Sequence, residues 1–503
     1  MNWYVVGFVI YILVLAGVSL IGARRVKEAS DFLVAGRKMP MWLLAMTFAG
    51  LWFGGGTLIG TSGTAFDLGI WSTEWAWGII PDPYGAGLCL ILCGLFYFRT
   101  IRKMGGLTLA DFFSSRFGKR AALISTIVMT IGWFFWIATQ ILVVGKVLEA
   151  VLGWPFATSI WIGMAVIVAY TVAGGLWSVA LTDFVQMILI LVGITAAIPI
   201  GLSLVGGWSE VTATVPSDML NFFPVHVEGI STFHAWWAWI ASWMIIGLGS
   251  IASPDIMQVA ASGETDKSVR NSAIGAGLIY WIWGSIVVML GLVGYTMISK
   301  GLIPIEALGG DPELIMPVMV QTLFPLPVAV IFIAAILAAV MSCADGALLA
   351  ISTLFSKNVI KDWIKPELTD KELLKWARIL IVVVAIIPTV IALNYPHAYL
   401  MMNFGFDCLL AGLFVPLTLG IYWRKANSAG AIAGFIVGIV VRVILSGVLE
   451  GWAFETVMYP ANWYMYTVLA PLANLAVMVI VSLATQESHP PLPLADAEGK
   501  PIK

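Results

Sequence analysis

Thirteen apolar runs, each close to the length a helix needs to cross a bilayer, constrain this chain more than any other feature. At about 1.5 Å per residue, a helix spanning roughly 30 Å of hydrocarbon needs about 20 residues. Such runs fall near residues 2–22, 41–65, 77–98, 121–149, 156–176, 182–205, 234–259, 272–297, 315–355, 377–394, 399–422, 428–449 and 463–485. Because 60% of the 503 residues are hydrophobic and 11% are charged, a water-soluble fold would lack the polar surface to cover them. The expected fold class is an all-α polytopic membrane protein of about 13 transmembrane helices, with membrane lipid as its largest partner.

The positive charges test that count, since Lys and Arg are retained on the cytoplasmic side of a membrane. With the N-terminus outside, 23 of the 26 fall in cytoplasmic segments, Lys146 and Lys300 fall outside, and Arg442 lies within a run. A miscounted span would invert part of this sorting. Arg24, Arg25 and Lys27 follow the first run rather than precede it, the order of a retained span and not of a cleaved leader. The expectation is an integral protein of a bacterial-type inner (plasma) membrane, N-terminus outside and C-terminus cytoplasmic. The stretch from Gly206 to Thr232 has no Lys or Arg and reads as an outer-surface loop, and the tail from Gln486 reads as disordered.

Several function classes drop out. A formal net charge of −2 without a basic block gives phosphate backbones nothing to bind, so nucleic acid is not a partner. Cys89, Cys93, Cys343 and Cys408 all sit in apolar runs, without finger spacing to histidine. No nucleophile and base pair, phosphate loop or zinc-binding helix motif appears, and His226, His234, His397 and His489 fall in loops or near interfaces. An enzyme therefore has no positive support in the sequence, and no organic cofactor is expected.

Backbone inside a membrane leaves the helix only where protein or water satisfies its polar groups. Gly54-Gly55-Gly56, followed by Gly60 and Gly63, marks either a broken helix or close helix packing; the flanking Thr57, Thr61 and Ser62 favour the break. The run Ala338 to Gly346, containing Ser342, Cys343 and Asp345, is a second candidate break. A carboxylate at membrane depth is costly unless it is paired or binds a cation, so Asp345 needs a partner. Asp183 either caps the helix it begins or offers a hard cation an oxygen ligand. Asp82, Asp407 and Asp255, which follows Pro254, are further intramembrane acids, whereas Glu74 suits the outer interface. Trp52 and Trp136 lie deep, where an aromatic face either packs or holds a quaternary ammonium.

At these residues the sequence resembles the sodium:solute symporter family, which includes sodium/glucose, proline, pantothenate and choline transporters. The resemblance covers nearly the whole chain. It rests on Phe53-Gly54-Gly55-Gly56 through Gly63, Gly174-Gly175-Leu176-Trp177-Ser178-Val179-Ala180-Leu181-Thr182-Asp183, the end of the seventh run bearing Gln258, Ala339 to Ser356, and Gly430-Ala431-Ile432-Ala433-Gly434. The triple glycine and the Ser-x-Ala-Asp pattern are most similar to the high-affinity choline transporter branch.

What the resemblance implies is a LeuT-type core of two inverted five-helix repeats around a midplane site. It divides the chain into a first helix and loop (1–40), a first repeat (41–206), an outer loop (207–233), a second repeat (234–422), two C-terminal helices (423–485) and the tail (486–503). It implies sodium as coupling ion, held by the carbonyls of Gly50, Phe53 and Ala339 and the hydroxyl of Ser342. Cys343 stands at the usual second hydroxyl, and a thiol is a softer, poorer sodium ligand. A second sodium site would use Asp183, Ser342 and Asp345, with Gly346 at a position that is serine in relatives. The solute site would involve Trp52, Thr57, Asp82, Tyr84, Trp136, Asp255 and Asp407, with Ser253 where the choline branch has a third tryptophan. The expected function is sodium-coupled import of a small polar solute, choline or another cationic or zwitterionic compound. The alternatives are a same-family importer of an amino acid, sugar or carboxylate, and a transporter-like sensor without turnover.

Overall fold

The computed structural model of the chain describes residues 3–502, apart from the side chains of residues 170, 173, 454 and 455; residue 2, where the first run begins, and Lys503 of the tail lie outside them. Among the described residues, eleven helices are long and apolar enough to cross a membrane: Trp3–Ala23, Ile80–Met104, Lys119–Leu152, Gly174–Val205, Thr232–Ala252, Asp266–Ser299, Leu326–Ile364, Asp370–Asn394, Ala398–Tyr422, Ser428–Glu450 and Trp463–Ala484. Two shorter apolar helices, Met41–Gly50 and Phe156–Ala169, stand at the remaining two places. All thirteen runs therefore have helices at their places, and the second is short because its backbone is interrupted.

The fifth and sixth runs are joined without the loop expected between 176 and 182. One path, Phe156–Val205, turns at Gly175, where φ is +55° and ψ is −148°. Side chains rarely adopt that conformation, and a Cβ there would collide with the Phe32 carbonyl, so both backbone and space require glycine.

The second and seventh spans are broken as well. In the second, Met41–Gly50 ends, the backbone from Leu51 to Gly54 is not helical, and winding resumes as a wide turn over Gly56–Thr61 and an α-helix over Ser62–Asp67. The same glycines also admit close neighbours: a Cβ on Gly55 would lie 2.8 Å from Val143 Cβ, and one on Gly54 would strike Cys343 Sγ. Both readings of the glycine cluster thus hold at once. The seventh run, expected as one helix over 234–259, is Thr232–Gly247, a tight turn Gly249–Ala252 and Pro254–Ser262, with Ser253 extended between them. Pro254 has no N–H to continue the earlier helix, which sets the break there. The breaks of these two spans meet where Trp52 Nε1 donates to Asp255 Oδ2 at 3.3 Å.

The break expected at Ala338–Gly346 does not form. Leu326–Leu354 is one unbroken helix, preceded by a separate Ile315–Leu323 that stops before Pro325. Ala, Leu and Met favour helix there, and Ser352 and Thr353 return their hydroxyls to the Leu349 carbonyl at 2.8 and 2.7 Å. This span therefore contributes side chains without unwinding. The tail also differs from the disorder expected: Leu492 O accepts from Arg116 Nη1 at 2.6 Å, and Ala497 N donates to Lys103 O at 3.1 Å.

Candidate functional site

Where Met41–Gly50 ends, it meets the helix Leu326–Leu354 and the sixth span. Ser342 Oγ lies 2.9 Å from Gly50 O and 2.5 Å from Asp183 Oδ1, and Cys343 Sγ lies 3.3 Å from Gly50 O. Ser342, Asp183 and Asp345 are all fully buried. A serine hydroxyl has one proton, so it satisfies one of its two acceptors at a time. Asp183 Oδ2 has no hydrogen-bond partner among the described residues. The corner thus holds more oxygen lone pairs than protons, which is the donor set a hard, dehydrated cation takes. Phe53 sits in the non-helical stretch, and Ala339 lies one helical turn before Cys343. Asp345, three residues beyond Ser342, shares its helix face. Both carboxylates are buried, and buried carboxylates are favoured by a positive charge beside them.

Elsewhere in the core, aromatic rings close over a narrow void too tight in this structure to admit a water molecule, lined by Trp52, Asp82, Trp136, Tyr280, Met402 and Phe406 among others. The Phe406 ring stands 5.9 Å from Trp52, 5.7 Å from Trp133 and 5.3 Å from Trp136. Asp82 leaves helical geometry, with φ −137° and ψ 123°, and accepts the Thr61 hydroxyl on Oδ2 at 3.0 Å. Tyr280 donates to the Trp52 carbonyl at 2.7 Å and lies 2.5 Å from the Thr57 hydroxyl, filling the polar need of the broken backbone. Asp255 stands behind this wall rather than in it: its Oδ1 accepts the Ile256 N–H at 2.6 Å, and its Oδ2 orients the Trp52 indole.

Three expected solute residues lie elsewhere. Asp407 pairs with Arg442 Nε and accepts the Thr467 hydroxyl at 2.8 Å, on the side facing the C-terminal helices. Residues one apart on a helix point about 100° apart, so Phe406 lines the void and Asp407 does not. Tyr84 packs its ring 5.3 Å from Phe222 of the loop after the sixth span, and its hydroxyl accepts from Ser285 at 3.3 Å. Ser253 is buried at the seventh-span break without a partner for its hydroxyl among the described residues, outside the void.

Phe406, Tyr280, Trp133, Met402 and Gln140 escaped the sequence reading. Gln140 Oε1 accepts the Gly55 N–H at 2.9 Å, satisfying a donor freed by the break. A fully buried Gln within an apolar helix was the available signal for it, and a tyrosine mid-span the signal for Tyr280. Phe406 gave none, because an apolar ring in an apolar run is ordinary core.

Comparison with known proteins agrees with this architecture. The sequence pattern of the Sodium:solute symporter family matches residues 32–438. The chain is 25% identical to "High-affinity choline transporter 1" of Drosophila melanogaster, over 96% of this chain and 78% of that one. It is 26% identical to the Homo sapiens protein of similar name over 86% of this chain and 74% of that one. It is 27% identical to "High-affinity proline transporter PutP" of Bacillus subtilis (strain 168), over 82% and 85%. Among solved structures, a Na+-coupled sialic acid symporter in a substrate-bound outward-open state superposes with a TM-score of 0.79 at 21% identity, covering 96% of this chain and 98% of that one. Mhp1, a nucleobase-cation-symport-1 family transporter, gives 0.58 at 14%, covering 91% and 95%. The LeuT fold and the match across most of its length place this integral membrane protein among secondary transporters rather than enzymes, and the chain belongs to the sodium:solute symporter family.

Proposed function

We propose that the protein imports a small organic cation or zwitterion, choline first among them, with sodium as the coupling ion, by alternating access. The observation that carries the solute class is the void walled by Trp52, Trp136 and Phe406, with the buried Asp82 at its edge and Asp255 behind Trp52. Aromatic faces attract a desolvated ammonium by roughly 2 kcal/mol, and a buried carboxylate needs a positive charge nearby. Phe406 supplies the third ring that Ser253 cannot.

Sodium is assigned to Gly50 O, Phe53 O, Ala339 O and Ser342 Oγ with Cys343, and a second ion to Asp183, Ser342 and Asp345. Sodium bound where the second span breaks would fix the backbone that carries Trp52 and Thr57, so ion binding and solute binding favour the same conformation. One inward sodium charge gains about 2.3 kcal/mol per 100 mV before its concentration gradient is counted. The site in this reading lies in a bacterial-type plasma membrane, with the N-terminus outside.

Labelled-choline binding to the purified protein, in sodium and in potassium, tests the reading. Saturable binding that needs sodium and is lost in Asp82→Asn is the expected result. Sodium-dependent thermal stabilisation without choline binding would leave a symporter for another solute class.

A further inference from the structure

At the opposite end of the molecule from the Trp77 cluster, on the face that the proposed topology makes cytoplasmic, the ends of four spans surround an open cleft of about 370 Å³. The helices Lys119–Leu152 and Ser428–Glu450 begin there, Leu326–Ile364 ends there, and His489 follows shortly after Trp463–Ala484. Lys119, Arg120 and His489 line the cleft, and no Asp or Glu does. The Lys119 and Arg120 side chains are exposed and form no ion pair among the described residues. Asp362, next to the lining residue Trp363, is already engaged by Lys357 at 2.8 Å. Both free cations stand in the first turn of a long helix, whose positive end disfavours them unless an anion joins them.

The rest of the cleft is apolar, with Phe117, Trp363 and Ile432 in its walls. Trp363 and its neighbour Ile364 are exposed, as side chains at a membrane–water boundary are. Two apolar tracks run from the cleft toward the bilayer core. On the twelfth span, Ile432, Ile436 and Val440 follow one another at helical spacing, and the last two are exposed. On the fourth span, which packs against the twelfth, Ile127 and Ile131 lie two and three turns beyond Arg120 and are exposed as well. We propose that this cleft binds the headgroup of an anionic phospholipid, its phosphodiester held by Lys119 and Arg120 and its acyl chains laid along the two tracks. Arg offers phosphate oxygens paired N–H donors and Lys a compact charge, and basic clefts between span ends suit such headgroups. A soluble phosphate would meet the same cations but leave the apolar tracks unused, so their continuity with the cleft favours the lipid.

Native mass spectrometry of the full-length protein in detergent, titrated with phosphatidylglycerol or with glycerol 1-phosphate, tests the site. Phosphatidylglycerol binds, and Lys119→Gln combined with Arg120→Gln weakens it by about tenfold or more. Lys371→Gln combined with Lys375→Gln, which removes the same charge from exposed positions outside the cleft, leaves the affinity unchanged. All four side chains are exposed, so both double variants keep the fold. Equal weakening by the two pairs would mean diffuse attraction to the surface and overturns the site. Binding of phosphatidylglycerol that neither pair affects overturns it too. Glycerol 1-phosphate binding as tightly as the lipid would make the occupant a soluble phosphate and overturns the lipid assignment.

Discussion

The Ser342 hydroxyl lies 2.5 Å from Asp183 Oδ1, yet the same hydroxyl is also 2.9 Å from the Gly50 carbonyl. With one proton between two acceptors, and Asp183 Oδ2 without a partner among the described residues, the corner is short of positive charge. Asp183→Asn keeps the shape and removes the charge. The expected outcome is a sodium half-saturation concentration raised at least about tenfold, equivalent to about 1.4 kcal/mol. Sodium titration of the unfolding temperature measures it without requiring a known solute.

Cys343 approaches the Gly50 carbonyl at 3.3 Å, at the position where the family resemblance calls for a hydroxyl. Oxygen is the harder ligand, so Cys343→Ser should tighten sodium binding, by up to about tenfold. The same titration reports it. Weaker sodium binding in this variant would remove Cys343 from the ligand set.

Phe406 supplies the ring between Trp52 and Trp136. Leucine fills a similar volume without a quadrupole, so Phe406→Leu should weaken choline by about 1–2 kcal/mol, roughly 5- to 30-fold. The neutral isostere 3,3-dimethyl-1-butanol should lose much less. Competition against labelled choline gives both values, and equal losses would mean that Phe406 acts through packing alone.

Much of this was legible in the sequence because the bilayer imposes length and charge sorting on every span. The second-span break announced itself through its glycines, whereas the turn at Gly175 stands where the sequence suggested a loop between 176 and 182. The ninth span misled for a physical reason. Ser342, Cys343 and Asp345 are polar at membrane depth, but the helix tolerates them once neighbouring spans offer partners, so polarity there marks a site without marking unwinding. Asp407 misled because a sequence shows that an acid is buried without showing which way it points. Its cation, Arg442, lies 35 residues later in a different span, and the pairing depends on how the two helices pack.

That pair makes its own prediction. Arg442 also donates to Val457 O at 3.1 Å and Met458 O at 2.9 Å, and its guanidinium stands 5.0 Å over the Phe404 ring. Arg442→Leu leaves Asp407 charged and buried without its cation, which should cost about 3–5 kcal/mol of stability. Adding Asp407→Leu should recover most of it. Thermal unfolding of the three proteins in detergent decides whether the pair is structural or a poorly matched pair whose loss is neutral.

The central claim is that sodium, acting at the Asp183 and Ser342 corner, drives a cationic solute through the aromatic void. Labelled-choline accumulation in proteoliposomes, with sodium or potassium outside at equal osmolarity, tests it most directly. The account predicts concentrative uptake with sodium, none with potassium, and loss of accumulation in Asp183→Asn. Equal uptake in sodium and potassium, or full accumulation in Asp183→Asn, would contradict it.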